Sequence, residues 1–199
     1  MFPRASNTIL LVCDIQERFR PLIWRFPTVV HGACTLVRVC GALSVPVLAT
    51  EQNPARLGAT VSELASGLSA AGAQVSPKTR FSMVTPEVRA RLGRQGAPFE
   101  HVILCGIEGH VCVQQTALEL LQEKFRVHLV VDAISSQRPG DRAVALANLV
   151  AAGASVTTTE AIAFQLLQDA AHPQFKQVQL AIKEHNEGAK KLEGLDLLA

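Results

Sequence analysis

The chain has no tyrosine, a single tryptophan and only 5% aromatic residues in all. It also lacks any lysine–arginine run interleaved with aromatics, and its formal net charge is only +2. Neither a nucleic-acid surface nor a membrane surface is expected from such a balance. No apolar stretch is long enough to cross a bilayer. The opening residues, Met1-Phe2-Pro3-Arg4-Ala5-Ser6-Asn7, are too few and too polar for a signal peptide ahead of the first strand pattern. Five cysteines (Cys13, Cys34, Cys40, Cys105, Cys112) form an odd set without CxxC spacing, which argues against a disulfide framework. Several lie in apolar runs, where a reduced thiol behaves as a small hydrophobe. The expectation is a reducing compartment, by default the cytoplasm.

Several chemistries lack their signatures too. The six histidines form no HxH or HxxxH pair, and Thr50-Glu51-Gln52-Asn53-Pro54 offers one carboxylate and no histidine, so no metal site is expected. The absence of G-x-S-x-G removes a serine nucleophile elbow. The absence of G-x-G-x-x-G and of the P-loop pattern removes dinucleotide and NTP binding. No cofactor is expected.

What is present is an alternation of β-branched runs with helical patterns over 199 residues, 48% of them apolar and 18% charged. That length and balance suit one α/β domain, with a core over about 8–185 and a tail over 186–199. Strands are predicted at Thr8–Cys13, Val45–Thr50, Gln74–Ser76, His101–Cys105, Arg126–Asp132 and Ser155–Thr158. Helices are predicted around Val30–Val37 and Val61–Leu64. Another runs from a Thr85 cap through Arg94, one follows Cys112, and one is capped by Asp141 and stopped by Gly153. Two more lie around Ala163–Leu167 and Phe175–Ile182. From Glu187 the chain turns polar, then ends in an apolar patch, Leu195-Asp196-Leu197-Leu198. Six strands separated by helices predict a mostly parallel sheet covered on both faces.

Ligands of such sheets bind beyond the carboxyl ends of the strands. The polar residues at those ends are Asp14, the Thr50-Glu51-Gln52 stretch, Lys78 and the turn Gly106-Ile107-Glu108-Gly109-His110-Val111-Cys112. Cys112 falls at or near a helix N-terminus, where unpaired N–H groups and the helix dipole favour a thiolate and can hold an oxyanion. Taken singly, each residue has a plainer explanation: Asp14 as a turn cap, Lys78 as a solvated loop lysine, Cys112 as a packing thiol, Glu108 as an exposed turn glutamate. Their joint placement at successive strand ends points instead to one site. His110 lies two residues before Cys112 and so points away from it on a helix.

Asp14-x-Gln16-x-x-Phe19, Lys78 ahead of Phe81-Ser82, and Gly106-Ile107-Glu108-x-x-x-Cys112-Val113 occur in this order. Val131-Asp132-Ala133 with Ser135, then Gly153-Ala154 with Thr157-Thr158-Thr159-Glu160, complete the series. On these motifs, from about Thr8 to Leu167, the chain resembles the isochorismatase-like cysteine hydrolase superfamily. Its Gly-Ile-Glu turn is similar to that of isochorismatase domain-containing proteins, where nicotinamidases commonly carry Gly-Val-Ala. The resemblance implies a three-layer α/β/α fold around a six-stranded, mostly parallel sheet of Rossmann-like topology. It implies a triad of Cys112 as nucleophile, Asp14 as base and Lys78 as the cation that holds the carboxylate. It further implies a cis peptide between Ile107 and Glu108, an oxyanion turn there, and Phe19 in the pocket wall, with the loops at Gln52, Phe81 and Glu108 shaping specificity. A homo-oligomer is implied as well. Nicotinamidases carry a D-x-H zinc pair after the second strand; this chain has none. Retention of Cys112 favours hydrolysis of a C–N bond in a small carbonyl substrate through a thioester. The rivals are a non-catalytic binding or scaffold protein that keeps a vestigial triad, and an isochorismate-type ether hydrolase. A nuclease lacks paired histidines and clustered carboxylates.

Overall fold

Six strands define the sheet in the computed structural model, which describes residues 2–93 and 99–192. They are β1 (Thr8–Cys13), β2 (Val47–Gln52), β3 (Gln74–Lys78), β4 (His101–Gly106), β5 (Arg126–Ile134) and β6 (Ser155–Thr157). Their spatial order is β3-β2-β1-β4-β5-β6, and every pairing is parallel. This is the doubly wound order, whose direction of growth reverses between β1 and β4. The expected six-stranded α/β architecture is therefore present.

The helices between strands are α1 (Phe26–Ala42), the short α2 (Pro54–Leu57), α3 (Ser62–Ala70), α4 (Pro86–Leu92), α5 (Gln114–Gln122) and α6 (Pro139–Ala151), and α7 (Thr159–Leu167) and α8 (Phe175–Lys191) follow β6. Alternate residues of each central strand feed two separate cores. Leu10, Val12, Ala49, Ile103 and Cys105 pack with α1, α3, α7 and α8. Ile9, Leu11, Cys13, Leu48 and Leu104 pack with α4, α5 and α6. A strand buried on both faces is apolar on both, which explains the unbroken run Ile9–Cys13. The result is three layers, α/β/α.

Local chemistry moves several element boundaries. Strand β2 begins at Val47 rather than Val45 because Pro46 has no N–H to give to the ladder, although its carbonyl accepts from Leu10 at 2.9 Å. Pro77 is tolerated in β3 because β3 is an edge strand. Thr85 caps α4 as expected, its hydroxyl accepting the Val88 N–H at 3.3 Å. The expected end of that helix, Arg94, lies outside the described residues. Asp141 does not cap α6. The helix starts earlier, with Pro139 in its first turn, and Asp141 there accepts from Arg138 at 3.0 Å.

The segment after Glu187 is not a polar tail as far as Lys191. Helix α8 continues through it because Val178, Ala181, Ile182 and His185 keep helical spacing against α1. The apolar patch Leu195-Asp196-Leu197-Leu198 lies outside the described residues. Among the described residues, no helix is long and apolar enough to cross a membrane.

Candidate active site

The reversal between β1 and β4 creates the crevice, and local sequence fills it. Asp14, directly after β1, has φ 54, and Glu108, after β4, also has φ 54. Left-handed backbone is uncommon outside glycine, though aspartate is among the residues that adopt it more readily. Gly106 between them has φ 134, and a Cβ on it would lie 2.2 Å from the Cys13 carbonyl oxygen and 2.6 Å from Cys13 Cβ. Only glycine lets the end of β4 close on the end of β1. The Ile107 N–H then donates to the Cys13 carbonyl at 3.0 Å and locks the two strand ends together.

The expected cis link between Ile107 and Glu108 is not found: no peptide bond among the described residues is cis. The positive φ angles of Gly106 and Glu108 turn the chain instead. The Glu108 carbonyl accepts from the N–H groups of Val111 (2.9 Å) and Val113 (3.2 Å), which starts a π-helical turn over Gly109–Val113. That turn runs without a break into α5. Cys112 therefore lies in the first turns of one continuous helical segment, buried and without a disulfide.

Lys78 and Asp14 form an ion pair sealed from solvent, Nζ to Oδ2 at 2.7 Å. The ammonium also donates to Gln52 Oε1 at 2.7 Å and meets the carbonyls of Arg80 and Phe81, each at 3.0 Å. Four acceptors for three N–H groups leave no donor of this buried cation unused. Asp14 Oδ1 accepts from the Thr50 hydroxyl at 2.8 Å. The Gln52 amide is anchored in turn, donating to the Thr79 carbonyl at 2.8 Å. Asp14, Gln52 and Lys78, three of the expected site residues, thus meet directly.

The thiol hydrogen-bonded to the Asp14 carboxylate is that of Cys13, at 3.5 Å from Oδ2. Cys13 also makes a side-chain contact with Cys112, so the two thiols and the carboxylate form one cluster. Burial, the contact with Cys112 and the Asp14 charge push the Cys13 thiol well above the ordinary range, against a smaller opposing pull from Lys78. Nothing in the sequence pattern separates Cys13 from the other core cysteines.

A second residue without an earlier role is Gln16, fully buried two positions after Asp14. Its amide donates to the carbonyls of Gln52 (3.0 Å) and Gly58 (2.6 Å), and its oxygen accepts the Gln52 N–H at 2.7 Å. The polar signal was its place beside a strand end, in the same stretch as Asp14. Gln16 fixes the backbone of the residue whose side chain holds Lys78.

Phe19 is half-buried, packed against the α1 side of the core. Ile107 is in the turn, its side chain fully buried in the same core. Glu51 turns away, accepting the N–H and hydroxyl of Thr60 at 2.7 and 2.8 Å. His110 reaches toward two carboxylates, Glu108 at 3.5 Å and Asp141 at 3.9 Å. Among the described residues no three His, Cys, Asp or Glu side chains are grouped as a metal ion would require.

The family model described as the Isochorismatase domain matches residues 8–161, which takes in β1 through the start of α7. The chain is 45% identical over 186 residues to the secreted isochorismatase effector Isc1 of Phytophthora sojae, spanning 93% of this chain and 88% of that protein. It is also 45% identical over 175 residues to isochorismatase domain-containing protein 2 of Danio rerio, spanning 88% and 86%. Among solved structures, the MAR1 ribonuclease of Caenorhabditis elegans superposes with a TM-score of 0.88 at 40% identity, covering 92% of this chain and 93% of that one. By the matched domain and these identities, the chain belongs to the isochorismatase domain family.

Proposed function

We propose that the protein is a cysteine hydrolase that cleaves the C–N bond of a small amide-type substrate through a thioester on Cys112. The observation that carries this reading is the sealed Lys78–Asp14 pair at 2.7 Å, at the sheet's reversal point and beside the Cys112 turn. A buried ion pair with every donor used is a weak source of net stability, so its position next to a thiol favours a chemical role. In the proposed cycle Asp14 accepts the Cys112 proton and the sulfur attacks the carbonyl carbon. The N-terminal end of the helical segment Gly109–Gln122 stabilises the oxyanion. Asp14 then gives the proton to the departing nitrogen as the C–N bond breaks, leaving a thioester. Water, deprotonated by Asp14, attacks the thioester and releases the acid and the thiolate. Lys78 holds the carboxylate in place throughout, Gln52 holds Lys78, and Glu108, Ile107 and Phe19 belong to the pocket and its turn.

Self-association is part of the proposal: β6 ends the sheet, and its Val156 is exposed together with Val150 of α6. An unpaired sheet edge next to apolar surface favours a second copy.

A screen of small amides tests the reading, run with wild type and Cys112→Ala. The variant should lose turnover by about 10³-fold or more while keeping its unfolding midpoint. Wild-type turnover by Cys112→Ala would refute the mechanism. A second reading comes from the similar Caenorhabditis elegans protein, which is named a ribonuclease. It gains ground only if highly purified protein cleaves RNA and loses that cleavage on substitution of Cys112, Asp14 or Lys78.

A further inference from the structure

Three buried polar atoms beside the Cys112 turn have no hydrogen-bond partner: Glu108 Oε2, His110 Nδ1 and Ser136 Oγ. They surround one residue, Gly109. A Cβ there would stand 3.0 Å from Ser136 Oγ and 3.2 Å from Ile134 Cγ2, so glycine is what lets Ser136 pack this closely against the turn. The Glu108 carboxylate is fixed at one end only, with Oε1 accepting from Gln137 at 2.7 Å. Its backbone is pinned, because the Gly109 N–H donates to the Ser135 carbonyl at 2.8 Å and the Glu108 carbonyl caps the turn. Oε2 therefore keeps its direction, facing His110 Nδ1 across 3.5 Å without a hydrogen bond. Leaving such groups unsatisfied is unfavourable, and a matching ligand group removes that cost on binding.

A carboxylate oxygen can only accept a hydrogen bond, and a hydroxyl or a neutral imidazole nitrogen can accept one as well. The acceptors grouped around Gly109 suit a group with two or three N–H donors. Charge points the same way. Glu108 and Asp141 both face His110, and Arg138 already answers Asp141 at 3.0 Å. A carboxylate on the ligand would meet the Glu108 carboxylate, a like charge.

Resting on the thioester reading above, we propose that Glu108, His110 and Ser136 form an acceptor-lined subsite. It selects substrates with a primary amino or carbamoyl group next to the scissile carbonyl, and it rejects those with a carboxylate or methyl group there. Three small primary amides separate these classes: glycinamide, propanamide of the same size, and the larger malonamate. Each is tested for protection of Cys112 against iodoacetamide. Glycinamide should protect at concentrations about tenfold below propanamide, with malonamate weakest. Glu108→Gln should bring the glycinamide-to-propanamide ratio below about twofold. Ser136→Ala, the gentler variant, should reduce it by about two- to threefold.

Equal protection by glycinamide and propanamide in wild type would overturn the subsite, as would an undiminished ratio in Glu108→Gln. Calorimetric titration of Cys112→Ala with the same probes needs no thiol and separates the two proposals. A glycinamide preference there supports the subsite even if catalysis by Cys112 fails. Its absence, together with selective alkylation of Cys112 in wild type, removes the subsite and leaves the thioester reading standing.

Discussion

Asp14 follows β1 and Asp132 lies near the end of β5, and both are almost sealed from solvent, at 1% and 5% exposure. Each carboxylate faces a basic side chain and is hydrogen-bonded on both oxygens. The Asp132 oxygens accept the Thr159 N–H, at 2.9 and 3.0 Å, and His185 Nε2 stands 3.6 Å away. Its partners belong to α7 and α8, so Asp132 clips two helices onto the sheet. The Asp14 oxygens meet Lys78, the Thr50 hydroxyl and the Cys13 thiol, which leads on to Cys112. Burial does not separate the two sites. What separates them is the group on the far side of the carboxylate, a helix N-terminus in one and a pair of thiols in the other.

Single substitutions should pull the two sites apart. The largest effect is expected from Lys78→Met, which leaves the Asp14 charge buried without a cation. It should cost about 3–5 kcal/mol of folding stability and also remove turnover and the enhanced reactivity of Cys112. Asp132→Asn should cost less, about 1–3 kcal/mol, because the amide mispairs with one bond to Thr159 while the rest of the clip stays. Urea unfolding and thiol alkylation on the same preparations check both. Asp132→Asn with lost reactivity and Lys78→Met with normal reactivity would reverse the assignment.

A smaller effect belongs to the opposite, amino end of the strands, where His101 Nδ1 and His128 Nε2 lie 2.8 Å apart. Burial, with His101 and Arg126 close by, lowers His128 to about 4. The unfolded chain, with its histidine near 6.5, then binds more protons than the folded chain between about pH 4 and 6.5. The neutral pair is fully tolerated above that window, and stability falls as pH drops through it. His128→Gln should flatten this slope in a urea titration series without changing Cys112 reactivity.

Much of this was legible in the sequence for a physical reason. Strands buried on both faces must be largely apolar, so polar residues at their ends stand out, and Asp14, Gln52 and Lys78 are such residues. The start of β2 moved because one proline lacks a donor, and α8 outran its expected end because helical spacing persists beyond Ile182. Other features depend on contacts across the fold. The Asp132–Thr159 clip joins residues 27 apart in sequence, and neither residue type announces the other. Cys13 reads as one more apolar thiol until the end of β4 closes on it through Gly106. The left-handed Glu108 and its open oxygen depend on the packing around Gly109, which no spacing rule encodes.

The central claim is that Cys112, not merely a buried cysteine, is the reactive thiol of this chain. The rate of iodoacetamide labelling at neutral pH, read cysteine by cysteine by mass spectrometry, tests it most directly. Cys34 is the natural control, since it is more exposed than Cys112 and burial together with Glu63 pushes its thiol up to about 11. The account predicts that Cys112 labels at least about tenfold faster than Cys34 despite its lower exposure. Labelling of Cys34 first, or of both at one slow rate, would contradict it.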